Sequence, residues 1–179
     1  MPEEKIVAPD PVTEPEAYQK ALLDLLGDQD LEAVLAATPE RVAELTEDLD
    51  LEKLQQRPEP NEWSAEEILG HLFDAEVVYS FRWRFTLAEK DPKYPGYDQD
   101  EWIKLPRPSF PELLAAFASL RRANVWLVEE TPTSEWKKDG IHAERGSEPF
   151  GTSLAVVAGH DLAHLKQLEQ TVATVTGKS

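Results

Sequence analysis

Two histidines stand four residues apart in the run Gly159-His160-Asp161-Leu162-Ala163-His164-Leu165. On a helix, residues at i and i+4 share one face, with Cβ atoms about 5–6 Å apart. That gap lets two imidazoles reach one cation at about 2.0–2.1 Å each. A third histidine, His71, falls on another predicted helix, among residues that would otherwise be core. The chain has 4 histidines and no cysteine, so thiolate ligands and disulfides are both excluded. Three imidazoles would leave a coordination position open, as catalytic sites do. The competing reading is three hydrogen-bonded core histidines, and burying several imidazoles without partners is costly.

The elements that must position these rings follow from caps and periodicity. Thr13-Glu14-Pro15-Glu16 has capping-box spacing and opens a helix through Tyr18, Leu22, Leu25 and Leu26 to Gly27. Residues 30–37 read as a short helical stretch, and Thr38-Pro39 as the start of another that carries Val42, Leu45 and Leu49 inward. Ser64-Ala65-Glu66-Glu67 caps a long helix ending before Asp91-Pro92, with an inward stripe of Ile68, His71, Leu72, Ala75, Val78 and Tyr79. Ser109-Phe110-Pro111-Glu112 caps a helix bearing Leu113, Leu114, Phe117 and Leu120. Thr152 is the expected cap of the last helix, apolar almost all round from Leu154 to Leu168. Two long connections, at 91–108 and 131–151, separate the helices, and no strand alternation is visible. The expected fold is all-α: a four-helix bundle with a short helical N-terminal extension and two long loops. Residues 1–12 read as a flexible lead-in and 13–176 as a single domain.

Whether the three rings meet depends on helix direction. His71 lies about 9 Å into its helix and the pair about 12–18 Å into theirs. Parallel helices would put the rings at similar heights. Antiparallel helices would open an offset of about 10–20 Å and argue against a shared ion.

Composition narrows the partners. Against 35 acidic residues stand 18 basic ones, a net charge of -17. Residues 1–60 alone hold 16 acidic and 5 basic side chains, a balance of -11. No basic face could neutralise a row of phosphates, so neither nucleic acid nor an anionic membrane is expected. No signal core and no spanning apolar run is visible, and a cytoplasmic protein is the expectation.

Two segments resemble a known family. Trp63-Ser64-Ala65-Glu66-Glu67-Ile68-Leu69-Gly70-His71-Leu72 is similar to the W-S-x-x-E-x-x-x-H-L signature of the DinB-like (YfiT-like, damage-inducible) superfamily. His160-Asp161-Leu162-Ala163-His164-Leu165 is similar to its C-terminal H-D-x-x-H-L signature. Gly140-Ile141-His142 with Gly146 resembles the segment before the last helix, and residues 98–102 the mid-chain loop. The resemblance implies a four-helix bundle, often a homodimer, with a divalent metal on His71, His160 and His164. Nickel or zinc heads the choice, and iron and manganese also accept imidazole.

It also implies either a metal-dependent hydrolase or a transferase that uses an external low-molecular-weight thiol such as glutathione, bacillithiol or mycothiol, acting on a small-molecule substrate. The alternative is a non-catalytic metal-binding or stress-response protein with a residual site. Around the histidines, Asp161 and Asp74 are candidates for orienting an imidazole. His142 and Trp102 are candidates for substrate contact. Arg82 and the Arg121-Arg122 pair read either as an anion grip or as surface ion pairs.

Overall fold

Capping chemistry sets the bundle's long helices. In this computed structural model, which describes residues 13–177, the Ser64 hydroxyl accepts from the Glu67 amide at 3.2 Å. The Glu67 carboxylate in turn accepts from the Ser64 amide at 2.9 Å. Together they start α4, Ala65–Ala88. Ser109 is held by Glu112 in the same way at the start of α6, Phe110–Glu129. The lead-in at residues 1–12 lies outside the described residues.

The chain begins with α1, Pro15–Leu26, and α2, Leu31–Thr46, whose cap Asp30 accepts from the amides of Glu32 and Ala33. The two short helices expected at 30–37 and from Thr38-Pro39 are one helix, with Pro39 inside it. Pro39 has no N–H to give the carbonyl of Leu35 one turn back. That carbonyl instead accepts from the buried Arg121 Nη1 at 2.9 Å, which is how the helix carries its proline. A short α3, Leu51–Gln55, leads to α4. After α6 comes a 3-10 turn at Thr133–Glu135, and the last helix is α7, Phe150–Thr176. Its cap position is Pro149, so Thr152 is already inside the helix.

The expectation of no strands is corrected. The two long connections meet in a small sheet: β1, Lys93–Tyr94, lies parallel to β2, Asp139–His142, which pairs antiparallel with β3, Gly146–Pro149. The first connection also holds α5, Gln99–Trp102.

Helices α2, α4, α6 and α7 close the bundle, and α1 lies along α7. Two apolar clusters fill its ends. One gathers Val42, Ile68, Leu72, Leu113, Phe117 and Leu168; the other gathers Leu35, Trp83, Val128, Phe150, Leu154 and Val157. Between them every bundle helix contributes a buried polar side chain: Thr38, Glu76, Arg121 with Asn124, and Asp161. This polar waist sits at the level of the histidines.

Helix direction, which the sequence leaves open, is settled by contacts between α4 and α7. Trp83 Nε1 donates to Ser153 Oγ at 2.6 Å, and the Thr171 hydroxyl reaches the Trp63 carbonyl at 3.5 Å, so α4 and α7 run antiparallel. The rings meet all the same. His71 lies twelve residues before Trp83 and His164 eleven after Ser153, about 18 and 17 Å of helix. Helix α4 ends five residues after Trp83 and α7 starts three before Ser153, so the two are nearly flush at that end, and similar distances from it bring the rings level.

Gly159 lets α1 approach α7. A Cβ there would run into the Leu22 backbone carbonyl, which cannot swing aside as a side chain could. Gly159→Ala is expected to destabilise the fold by about 1–3 kcal/mol, the range for overpacking. A denaturant midpoint equal to that of the native chain would show that α1 is not held there.

Candidate metal centre

The fold brings His71 of α4 together with His160 and His164 of α7. One ring nitrogen from each lies within 4.8 Å of the other two. His71 Nε2 and His160 Nε2 face each other at 2.9 Å, and the ring centroids are 4.3–4.9 Å apart. Two nitrogens each about 2.0–2.1 Å from one ion stand about 2.9–3.4 Å apart, so the spacing fits a shared cation.

The surroundings prepare the lone pairs. Gln167 Oε1 sits 2.8 Å from His164 Nδ1. An amide oxygen only accepts, so the ring proton is on Nδ1 and the Nε2 lone pair is free. Asp161 Oδ1 lies 4.0 Å from His160 Nδ1 and favours the proton on that side, again leaving Nε2 bare. Burial, and then the neighbouring imidazoles and Arg107, hold His71 well below the ordinary histidine range. Burial and His160 push His164 down to about 3. Both rings are therefore neutral at pH 7, the form that binds a metal.

Trp63, from the turn that starts α4, closes one side. Its indole stacks on His164 at 6.1 Å and tilts against His71 at 4.9 Å. His71 is buried, whereas His160 and His164 are half-buried, so the centre opens on the α7 side.

Asp161 is 1% exposed and belongs to the waist. It pairs with Arg121 and accepts from Thr38 Oγ1 at 2.9 Å. Burial alone would raise its carboxyl, but the Arg121 guanidinium outweighs burial and holds it below the usual carboxylate range. Asp74, one turn after His71, turns elsewhere: both its oxygens accept from Arg107, at 3.0 and 2.5 Å. Its hydrogen bonds therefore clamp the mid-chain connection to α4 instead of steering His71. Gly70 makes room for that clamp, since a Cβ would meet Arg107 Nε at 2.7 Å.

Trp102 ends α5. Its carbonyl accepts from Arg107 at 3.0 Å and its ring packs on Tyr97 at 5.1 Å, so its contacts belong to the clamp. His142 is on β2, not in a loop, and is 1% exposed. Its Nδ1 accepts from the Glu144 and Arg145 amides at 3.2 and 3.3 Å, and its Nε2 faces Arg82 at 3.2 Å. That ring organises the hairpin turn. Arg82 and Arg121 are buried at 3% and 2%, so neither is the surface cation that composition suggests, whereas Arg122 is exposed.

Sequence reasoning passed over Trp63, Glu76, Asn124 and Arg107. Trp63 stood inside the quoted signature, one residue before the cap. Glu76, Arg121 and Asn124 fall at helical spacing on inward faces, where their charge or polarity masked them.

A model of the DinB superfamily matches residues 34–168, a span that contains all three histidines. The chain belongs to the DinB superfamily. Proteins of Bacillus mycoides (strain KBAB4) and Bacillus cereus (strain 03BB102), each named "Putative metal-dependent hydrolase", are 23% identical to it over 128 residues. The match spans 70% of this chain and 74% of theirs. The fold is similar to the solved structure of YfiT from Bacillus subtilis, described as having "an unusual four-helix bundle topology". The TM-score is 0.76 at 18% identity, covering 83% of this chain and 87% of that one. Among the described residues, no helix is long and apolar enough to cross a membrane.

Burial, Arg145 and Arg82 push His142 down to about 4. An unfolded histidine titrates near 6.5. Between pH 6.5 and 4 the unfolded chain therefore takes up a proton that the folded chain refuses. Stability falls as pH falls through this window, by at most about 1.4 kcal/mol per pH unit from this ring. His142→Asn keeps an acceptor for the two amides and removes the titration. Urea midpoints across that window are expected to slope less in this variant, and an unchanged slope would clear His142.

Proposed function

We propose that this protein is a metal-dependent hydrolase of small molecules, with His71, His160 and His164 as the ligands of one divalent ion. The observation that carries the reading is the convergence of three imidazoles, one nitrogen each, on a half-open centre with no fourth protein ligand among the described residues. The names of the Bacillus relatives support the same reaction class.

The donor set fits the group. It is all nitrogen, its tautomers are directed by Gln167 and Asp161, and two Nε2 atoms that would otherwise face each other gain a shared partner. A bound divalent ion supplies Lewis acidity at the position the histidines leave open. The chain's own residues do the rest. Trp63 excludes water from the α4 side, and the Arg107–Asp74 clamp fixes the mid-chain connection next to α4. Asp161 and Asp74 are both tied to arginines, so neither is free to carry a proton during turnover.

The test is metal content by mass spectrometry on purified protein, with His71→Ala, His160→Ala and His164→Ala in parallel, followed by ester, amide and phosphoester panels. About one equivalent of metal, lost from every variant together with hydrolysis, is expected. Turnover of an electrophile only when glutathione, bacillithiol or mycothiol is added would overturn hydrolysis in favour of thiol transfer. Metal uptake with no turnover in either panel would overturn the enzyme reading altogether.

A further inference from the structure

The charge of the polar waist does not cancel. Arg121 faces two carboxylates, Glu76 and Asp161, and these three residues are 2%, 0% and 1% exposed. Arg121 Nε donates to Glu76 Oε2 at 2.7 Å, and the other Glu76 oxygen accepts from the neutral Asn124 Nδ2 at 2.6 Å. Arg84 touches the waist only through the Asn124 Oδ1, at 2.6 Å, and its own side chain is exposed, where solvent screens it. Two negative charges and one positive charge are thus buried together. An uncompensated buried charge is costly, and cross-bracing four helices needs no more than one balanced pair.

The waist also has a direction. Asp161 Oδ2 is taken by Arg121 Nη1 and by Thr38 Oγ1. Asp161 Oδ1, with Arg121 Nη2 at 3.3 Å, is the oxygen turned to His160 Nδ1 at 4.0 Å. The Leu35 carbonyl, freed by Pro39, anchors the same guanidinium from α2. The surplus negative charge therefore lies in the buried waist next to the histidines.

We propose that Arg121 and Glu76 are positioning residues of the three-histidine centre: Arg121 aims the Asp161 carboxylate at His160, and Glu76 leaves the waist one negative charge that a divalent cation on the histidines neutralises. The inference rests on the metal reading above. It assigns a role to two residues that touch no ligand atom of their own.

The test is affinity of the metal-free full chain for zinc and for nickel, by competition with a chromophoric chelator, alongside the melting temperature of each apoprotein. Glu76→Gln keeps size and removes the charge, and is expected to weaken binding about 10-fold or more, the scale of outer partners of a ligating histidine. Glu76→Gln combined with Asn124→Asp moves the carboxylate across the same hydrogen bond and is expected to recover most of that loss. Arg121→Lys keeps the charge but loses the fork, and is expected to weaken binding on the same scale with zinc and nickel alike.

Wild-type affinity in Glu76→Gln or in Arg121→Lys would overturn the proposal. So would losses that merely track the fall in apoprotein melting temperature, or a double variant no tighter than Glu76→Gln. Should Glu76→Gln fail to fold, the double variant and Arg121→Lys still decide. A wild-type chain that takes up neither metal would instead sink the metal reading itself, which is a separate result.

Discussion

Arg121 donates to Glu76 on α4, to Asp161 on α7 and to the Leu35 carbonyl on α2, so one side chain of α6 touches the other three helices of the bundle. Apolar side chains pack acceptably at several heights, and two clusters of leucine, valine and aromatic residues alone would leave helix register loosely specified. A buried guanidinium is stricter. It must meet its acceptors, or a charge stays uncompensated at a cost of about 3–5 kcal/mol. Only one axial arrangement brings Glu76, Asp161 and the Leu35 carbonyl to the same place. That arrangement also sets His71, five residues before Glu76, against His160, the residue before Asp161. The constraint that fixes the bundle's register is therefore the one that assembles the rings.

The centre combines burial with access. Desolvation keeps His71 and His164 neutral, while Gln167 and Asp161 direct the ring protons outward. Trp63 covers the α4 side and the Arg107–Asp74 pair secures the mid-chain connection, yet two of the three histidines keep contact with solvent on α7. A closed structural site would have covered them with a fourth ligand. His142, by contrast, is consumed by the hairpin it organises, its Nδ1 accepting from the Glu144 and Arg145 amides.

Much of this was legible in the sequence, for reasons that are local. The Ser64 and Ser109 boxes write helix starts within four residues, and the spacing of His160 and His164 needs only helical geometry. What stayed hidden depends on distant partners. Pro39 reads as a helix start because nothing nearby reveals that Arg121, some eighty residues on, will take the orphaned carbonyl. Arg121 beside Arg122 reads as a surface pair until three helices converge on it. The strands hold two to four residues of Lys, Gly, Asp and Pro character, too short and too polar to show alternation. Antiparallel α4 and α7 seemed to separate the rings because depth was counted from each helix start, and in an antiparallel pair those starts lie at opposite ends; counted from the end where α4 finishes and α7 begins, His71 and His164 are nearly level. Asp74, at i+3 from His71, had the right spacing, but a bidentate arginine is the stronger partner for its carboxylate.

The central claim is that one ion sits on these three rings. Anomalous diffraction at the absorption edge of the metal found in the purified protein tests it most directly. The account predicts a single strong peak within about 2.0–2.2 Å of the Nε2 atoms of His71, His160 and His164. A peak elsewhere, or rings bridged by hydrogen bonds with no peak between them, would contradict it.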